Sequence, residues 1–212
     1  NVIFLNAASE NDKEMFENMR THITRKKYAT STINVSGELS YNDISNQMNP
    51  GSKYVFIPSS GDKSLVGKFI KALKQVKSER FDCDLSLIAY PEYVLYLKDY
   101  QTDLQDVDSY MFTRFFNAKG FRTRDIEAAY KANFDGEPLQ AVPNMAIYGY
   151  DTGIYLLKTL GVDGIIDDET PLHKGIQTSF RWERGDNWRG YTNQAIEIVH
   201  FSPDHQITVH VK

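Results

Sequence analysis

Six polar side chains stand at or just beyond the ends of apolar runs. Asn6 follows Val2-Ile3-Phe4-Leu5, and Ser59 and Ser60 follow Tyr54-Val55-Phe56-Ile57-Pro58. Tyr90 and Glu92 follow Leu85-Ser86-Leu87-Ile88-Ala89, and Arg114 follows Tyr110-Met111-Phe112-Thr113. Ligands in open parallel sheets bind outside the carboxyl ends of the strands. These six are therefore the candidate ligand-binding set. Asn6 and the serines would hydrogen-bond a polar ligand, Tyr90 would stack, Glu92 would accept an amine, and Arg114 would clamp a carboxylate. Ser59-Ser60-Gly61 follows a strand and opens a helix, where anions often bind. The competing reading is a solvated turn that caps the helix. One glycine is too few for close backbone approach to a pyrophosphate, and neither a P-loop nor a dinucleotide fingerprint is present.

Other chemistry is sparse. Neither Ser nor Cys stands in a nucleophile-elbow sequence. Cys83 is the single cysteine, which excludes an intrachain disulfide and a Cys-based zinc site. It reads as a buried, inert thiol. A hairpin folded about Pro203-Asp204 would set His200 near Ile207 and His210 near Glu197. That disperses the histidines over the surface and gives no metal site. The acidic runs Asp103/Asp106/Asp108 and Asp167-Asp168-Glu169 lack calcium-loop spacing and read as solvated loops. Arg181-Trp182-Glu183-Arg184 and Asp186-Asn187-Trp188-Arg189 set both tryptophans among arginines. They read either as a recognition surface for a sugar or protein, or as a strand pair with arginine stems lying over the rings. No cofactor and no catalytic residue is expected.

Composition narrows the partners. The 212 residues are 41 % hydrophobic and 25 % charged, with 24 basic against 28 acidic residues and a net charge of −4. The apolar content excludes disorder, and the acidic balance gives no general attraction to nucleic acid or anionic lipid. No apolar run is long enough to span a membrane. The chain opens on Asn1 and passes at once into an apolar run, with no initiator Met and no signal peptide. This predicts a fragment of a longer protein, or a processed one.

The elements that must position the candidate residues follow from periodicity. Val2–Leu5, 32–35, 54–58, 85–90 and 110–113 read as strands. Between them lie helical stripes: Met15, Phe16, Met19 and Ile23, entered through an N-cap at Ser9; a short helix over 41–48; Leu65 to Val76; a short helix from Pro91; and Ile126 to Phe134, capped by Thr123. Apolar strands alternating with amphipathic helices predict an α/β fold with a doubly wound parallel sheet, over a lobe spanning 1–135. Residues 136–212 read as a helix starting at Pro143 and ending at Gly161 and Gly164, followed by antiparallel strands. Gly149 and Gly153 share one helical face and would let another backbone approach, while Asp151 and Thr152 can cap or cross-link.

Several segments together resemble type 1 periplasmic binding proteins, the two-lobed solute receptors. They are Tyr54 to Ser60, Leu87-Ile88-Ala89-Tyr90-Pro91-Glu92, Phe134-Asp135-Gly136-Glu137-Pro138, and Pro143 to Gly153 with its Gly-Tyr-Asp-Thr-Gly wording. The wording is similar, within that family, to receptor-like domains that Bacteroidetes attach to LysM peptidoglycan-binding modules. The resemblance implies that residues 1–135 are a second lobe, that a first lobe precedes them, and that the ligand is held by hinge closure. In such proteins the Gly-Tyr-Asp helix belongs to the part returning to the first lobe. An uncovered apolar face there would favour self-association as a homo-oligomer. One departure matters. Amino-acid binders of the family often carry Tyr-Gly after the first strand of this lobe, where this chain has Asn6-Ala7-Ala8-Ser9.

The sequence thus predicts a non-catalytic domain of a periplasmic or cell-envelope receptor or sensor, for a small polar ligand such as an amino acid or cell-wall fragment. The alternative is a structural or protein-interaction module on the same fold, binding a cell-envelope protein and lacking a small-molecule site.

Overall fold

The computed structural model describes residues 1–7, 12–117, 120–136, 141–162, 164, 166, 169–185 and 190–212. Among the described residues, nine strands and six α-helices follow one another: β1 (Val2–Ala7), α1 (Lys13–Arg25), β2 (Thr30–Val35), α2 (Tyr41–Ser45), β3 (Lys53–Pro58), α3 (Lys63–Glu79), β4 (Asp84–Ala89), α4 (Leu97–Asp106), β5 (Ser109–Thr113), α5 (Phe121–Asn133), α6 (Met145–Val162), β6 (Trp182–Arg184), β7 (Tyr191–Asn193), β8 (Glu197–Phe201) and β9 (Ile207–Val211). A 3-10 turn over Pro91–Tyr96 enters α4. Seven strands form one sheet in the order β2-β1-β3-β4-β5-β8-β9, and β6 pairs with β7 alone. The pairs β1/β2, β1/β3, β3/β4 and β4/β5 are parallel. The predicted α/β fold with a mostly parallel sheet is the observed one. The chain divides into two compact units, 1–111 with 200–208 and 112–199 with 209–212.

In the first unit the sheet is covered on both faces, which is why β1 and β3 read as continuous apolar runs. Phe16 of α1 closes over Val2, Phe4 and Ile57, with Met19 and Ile23 beside it. Its ring meets that of Phe4 edge-on at 5.6 Å. Helix α3 buries Val66, Phe69, Ile70, Leu73 and Val76 along one stripe. The residue recorded at the N-cap of α1 is Asp12; Ser9 lies outside the described residues. The acidic run is not a solvated loop. Asp103 and Asp106 stand on α4 and both pair with Lys74 of α3. Asp108 accepts from Ser86 Oγ at 2.6 Å and meets His200 Nε2 at 2.7 Å. Cys83 is half-buried rather than buried, its Sγ 3.2 Å from Asn49 O and 3.3 Å from Arg80 Nη2.

The turn after β8 corrects the expected register. Ser202 N donates to Gln206 O, so Pro203, Asp204 and His205 form a three-residue loop. His205 takes the left-handed conformation at φ 60° that closes such a loop. The extra residue sets His200 opposite Thr208 and not Ile207. His200 is not a plain surface side chain either. It stacks on Tyr110 with ring centroids 4.2 Å apart.

In the second unit, Pro143 precedes α6, and Asn144 stands at the helix start. Its Oδ1 accepts from the Ala146 and Ile147 amides. Thr123 does not cap α5. The helix already begins at Phe121, and the Thr123 hydroxyl donates to Asn117 Oδ1. Gly161 lies inside α6, which ends at Val162, and Gly164 follows at φ +74°. No backbone approaches Gly149 or Gly153; an added Cβ at either would meet nothing within 4 Å among the described residues. Asp151 does cross-link. Its buried carboxylate accepts from the amides of Ile176, Gln177 and Thr178 at 2.8, 2.8 and 3.0 Å. Thr152 instead donates to Tyr148 O within its own helix. Trp182 is half-buried on the β6/β7 strand pair, its ring near Phe180 and Tyr155. Residues 186–189, including Trp188, and the pair 167–168 lie outside the described residues.

Candidate functional site

Strand β1 is followed in the sheet by β2 on one side and β3 on the other, so the order reverses beside it. Such a switch point opens a crevice at the carboxyl ends of the two central strands. Five of the six candidate residues lie on that edge of the first unit. Ser59 is committed to structure. Its Oγ accepts from Ala7 N at 2.9 Å and donates to Ala7 O at 3.1 Å, tying the end of β1 to the end of β3. Asn6 reaches across to β2, its Nδ2 donating to Asn34 Oδ1 at 3.0 Å.

Ser60 and Gly61 do form an anion position, and the chain fills it with its own carboxylate. Ser60 Oγ donates to Asp12 Oδ2 at 2.8 Å, and Gly61 N donates to the same oxygen at 2.9 Å. Asp12 comes from the turn after β1, and α3 starts at Lys63. A carboxylate here meets the exposed donors of a helix start. Asp12 was missed in the sequence because its partners lie 48 and 49 residues later. The available signal was an acidic residue on the loop after β1, facing a Ser-Ser-Gly turn on the neighbouring strand.

Tyr90 and Glu92 flank this position. Tyr90 is fully buried. Burial pushes its phenol pKa up, with further contributions from Asp12 and Glu92. Glu92 is exposed, and its side chain stands over Gly61. A Cβ at Gly61 would lie 2.8 Å from Glu92 Oε2 and 3.2 Å from the Tyr90 Cβ. Glycine is therefore required at 61 to let Glu92 lie across the strand end. The outcome is an acidic rim, Asp12 beneath and Glu92 above, that suits a hydrogen-bonding cation such as an ammonium group. Arg114 belongs to the second unit and is exposed. Among the described residues no group of three or more His, Cys, Asp or Glu is arranged to hold a metal ion, and no helix is long and apolar enough to cross a membrane.

No protein-family model matches the sequence, and no curated protein does. Solved structures do share the fold. One is an amino acid ABC transporter substrate-binding protein from Pseudomonas fluorescens, at 11 % identity and a TM-score of 0.52, covering 100 % of this chain and 58 % of that one. A second is a leucine binding protein from Thermotoga maritima, at 12 % identity and a TM-score of 0.50, covering 99 % of this chain and 59 % of its own. A third is a branched chain amino acid ABC transporter periplasmic ligand-binding protein from Burkholderia xenovorans, at 13 % identity and a TM-score of 0.54, covering 99 % and 57 %. The fold is thus of the type 1 periplasmic-binding-protein kind, and the chain spans less than three-fifths of the length of these structures.

Proposed function

We propose that this chain is a non-catalytic ligand-binding domain of a periplasmic or cell-envelope solute receptor, and that its ligand carries an ammonium group, as an amino acid or an amino-bearing cell-wall fragment does. One observation carries the reading: at the switch point of the sheet, the Glu92 carboxylate lies across Gly61 and stays exposed. The neighbouring serines are spent on Ala7 and Asp12, and Asn6 on Asn34. That leaves Glu92 as the ligand-facing group, with Asp12 and Ser60 as the rigid bed beneath it. The fold shared with substrate-binding proteins supports the same reading.

The test is a thermal-shift screen against the amino acids and a set of muropeptides. A ligand bound to the folded state raises the midpoint by mass action. The expected result is a positive shift for at least one ammonium-bearing compound, lost in Glu92→Gln. A shift retained in Glu92→Gln refutes the assignment of Glu92. A silent screen refutes the small-molecule reading and favours the protein-interaction module.

A further inference from the structure

The second unit holds a cavity unrelated to the strand-end site. It has a volume of about 390 Å³ and lies between α5, α6 and the segment 173–176. This falls within the ~300–1,000 Å³ range of small-molecule sites. Its wall is built, not incidental. Asp151 pins the segment from Ile176 to Thr178 through three amide hydrogen bonds. Gly175 is held so close that an added Cβ would lie 2.2 Å from Thr178 O and 2.6 Å from Asp151 Cγ.

The charge of this cavity runs against the chain as a whole. Arg122 of α5, Lys158 of α6 and Lys174 all line it. Among the described residues, none of the three takes part in an ion pair. Two carboxylates also line it: Asp125, and Asp151, which already accepts from three backbone amides. Three cations against two carboxylates leave this pocket net positive in a protein of net charge −4. Arginine and lysine gathered without partners around a concavity match an anionic group.

A second concavity, about 610 Å³, continues along the same two helices. It shares Asp125, Ile126 and Tyr150 with the first and adds the apolar faces of Ala129, Tyr130 and Phe134. A cationic pocket that opens onto an apolar trough is complementary to a molecule with an anionic head and an apolar tail. We infer that the α5/α6 cavity is a second binding site, for a small organic carboxylate whose tail lies along Ile126, Tyr130 and Phe134.

The experiment uses the whole chain and three probes in calorimetric titration: octanoate, octylammonium with the same tail and opposite charge, and acetate with the same head and no tail. Octanoate should bind about tenfold or more tightly than either of the others, because both the head and the tail contacts are needed. Added salt should weaken it. The double variant Lys158→Gln/Lys174→Gln should lose roughly tenfold or more in octanoate affinity. Lys71→Ala, a lysine exposed on α3, should bind as wild type does, and so should Glu92→Gln, which keeps this test apart from that of the strand-end site. All three lysines are exposed, so folding is retained and is checked by circular dichroism. Equal affinity for octanoate and octylammonium in Glu92→Gln, where the strand-end site for an ammonium group is removed, overturns the inference, as does undiminished octanoate binding in the double variant or the absence of octanoate binding.

Discussion

Asp108 Oδ1 lies 2.7 Å from His200 Nε2, although 92 residues separate them in sequence. Asp108 is itself left-handed, at φ 56°, and its other oxygen accepts from Ser86. One residue thus joins the start of β5 to β4 and to β8. Removing its side chain orphans two partly buried partners and places a Cβ residue without local hydrogen bonding in the left-handed region. Asp108→Ala should cost about 1–3 kcal/mol of stability. Asp108→Asn keeps both the conformation and a hydrogen-bonding group and should cost less than half as much. Urea denaturation of the two variants measures the difference; equal losses would mean that neither the conformation nor the retained hydrogen bond contributes.

Glu197 supplies a pH dependence. It is buried on β8, and burial pushes its carboxyl up from 4.5 to about 7, against the opposing hydrogen bond from Ser179 Oγ. The unfolded chain releases this proton near pH 4.5, while the folded chain holds it to near 7. The native state therefore binds more protons across that window, and stability falls as pH rises through it. Below the window nothing is lost. Above it the full cost applies, on the order of 3 kcal/mol. Glu197→Gln should match wild type at pH 4.5 and exceed it at pH 8 in thermal midpoint. A constant difference at both values would rule this out.

The glycines of the second unit should separate into two classes. Gly175→Ala must displace Thr178 or Asp151, and a loss above about 2 kcal/mol is expected. Gly149→Ala and Gly153→Ala meet open space inside α6. Each should stabilise by about 0.5–1 kcal/mol through helix propensity. Thermal midpoints of the three variants are the measurement. Loss at 149 or 153 would point to a close neighbour at that face.

Helix α6 carries exposed apolar side chains, with Leu157 74 %, Met145 57 % and Leu160 50 % exposed. We expect self-association through them. Sedimentation at tens of micromolar should show species heavier than the monomer, and Leu157→Lys should shift them toward monomer. A wild-type monomer at that concentration ends the idea.

Much of the fold was readable because its signals are local. The apolar runs of β1, β3, β4 and β5 and the stripe of Met15, Phe16, Met19 and Ile23 are periodic within a few residues. What escaped was set by partners far along the chain. Asp12 acquires its role from Ser60 and Gly61, and Asp103 and Asp106 from Lys74. The missed start of α5 has a different cause. Thr123 has the chemistry of a cap, but its hydroxyl is engaged by Asn117, six residues earlier. At the strand ends the polar residues were legible as types. Which were already spent on the protein itself was not, since that depends on the pairing of β1 with β3. The register after β8 failed by one residue because a left-handed histidine leaves no signature as strong as glycine.

The first unit is completed by residues 200–208, which come 88 residues after its main segment ends at Met111. On a ribosome, α1 to α4 and their strands emerge long before His200 does. The nascent first unit must wait, with Asp108 and Tyr110 lacking the imidazole they close upon, until residue 200 has been made. Such a loop is slow to close, because the entropy of bringing distant segments together is lost before the contact forms. A chain cut between residues 111 and 200 would have a first unit permanently one strand end short.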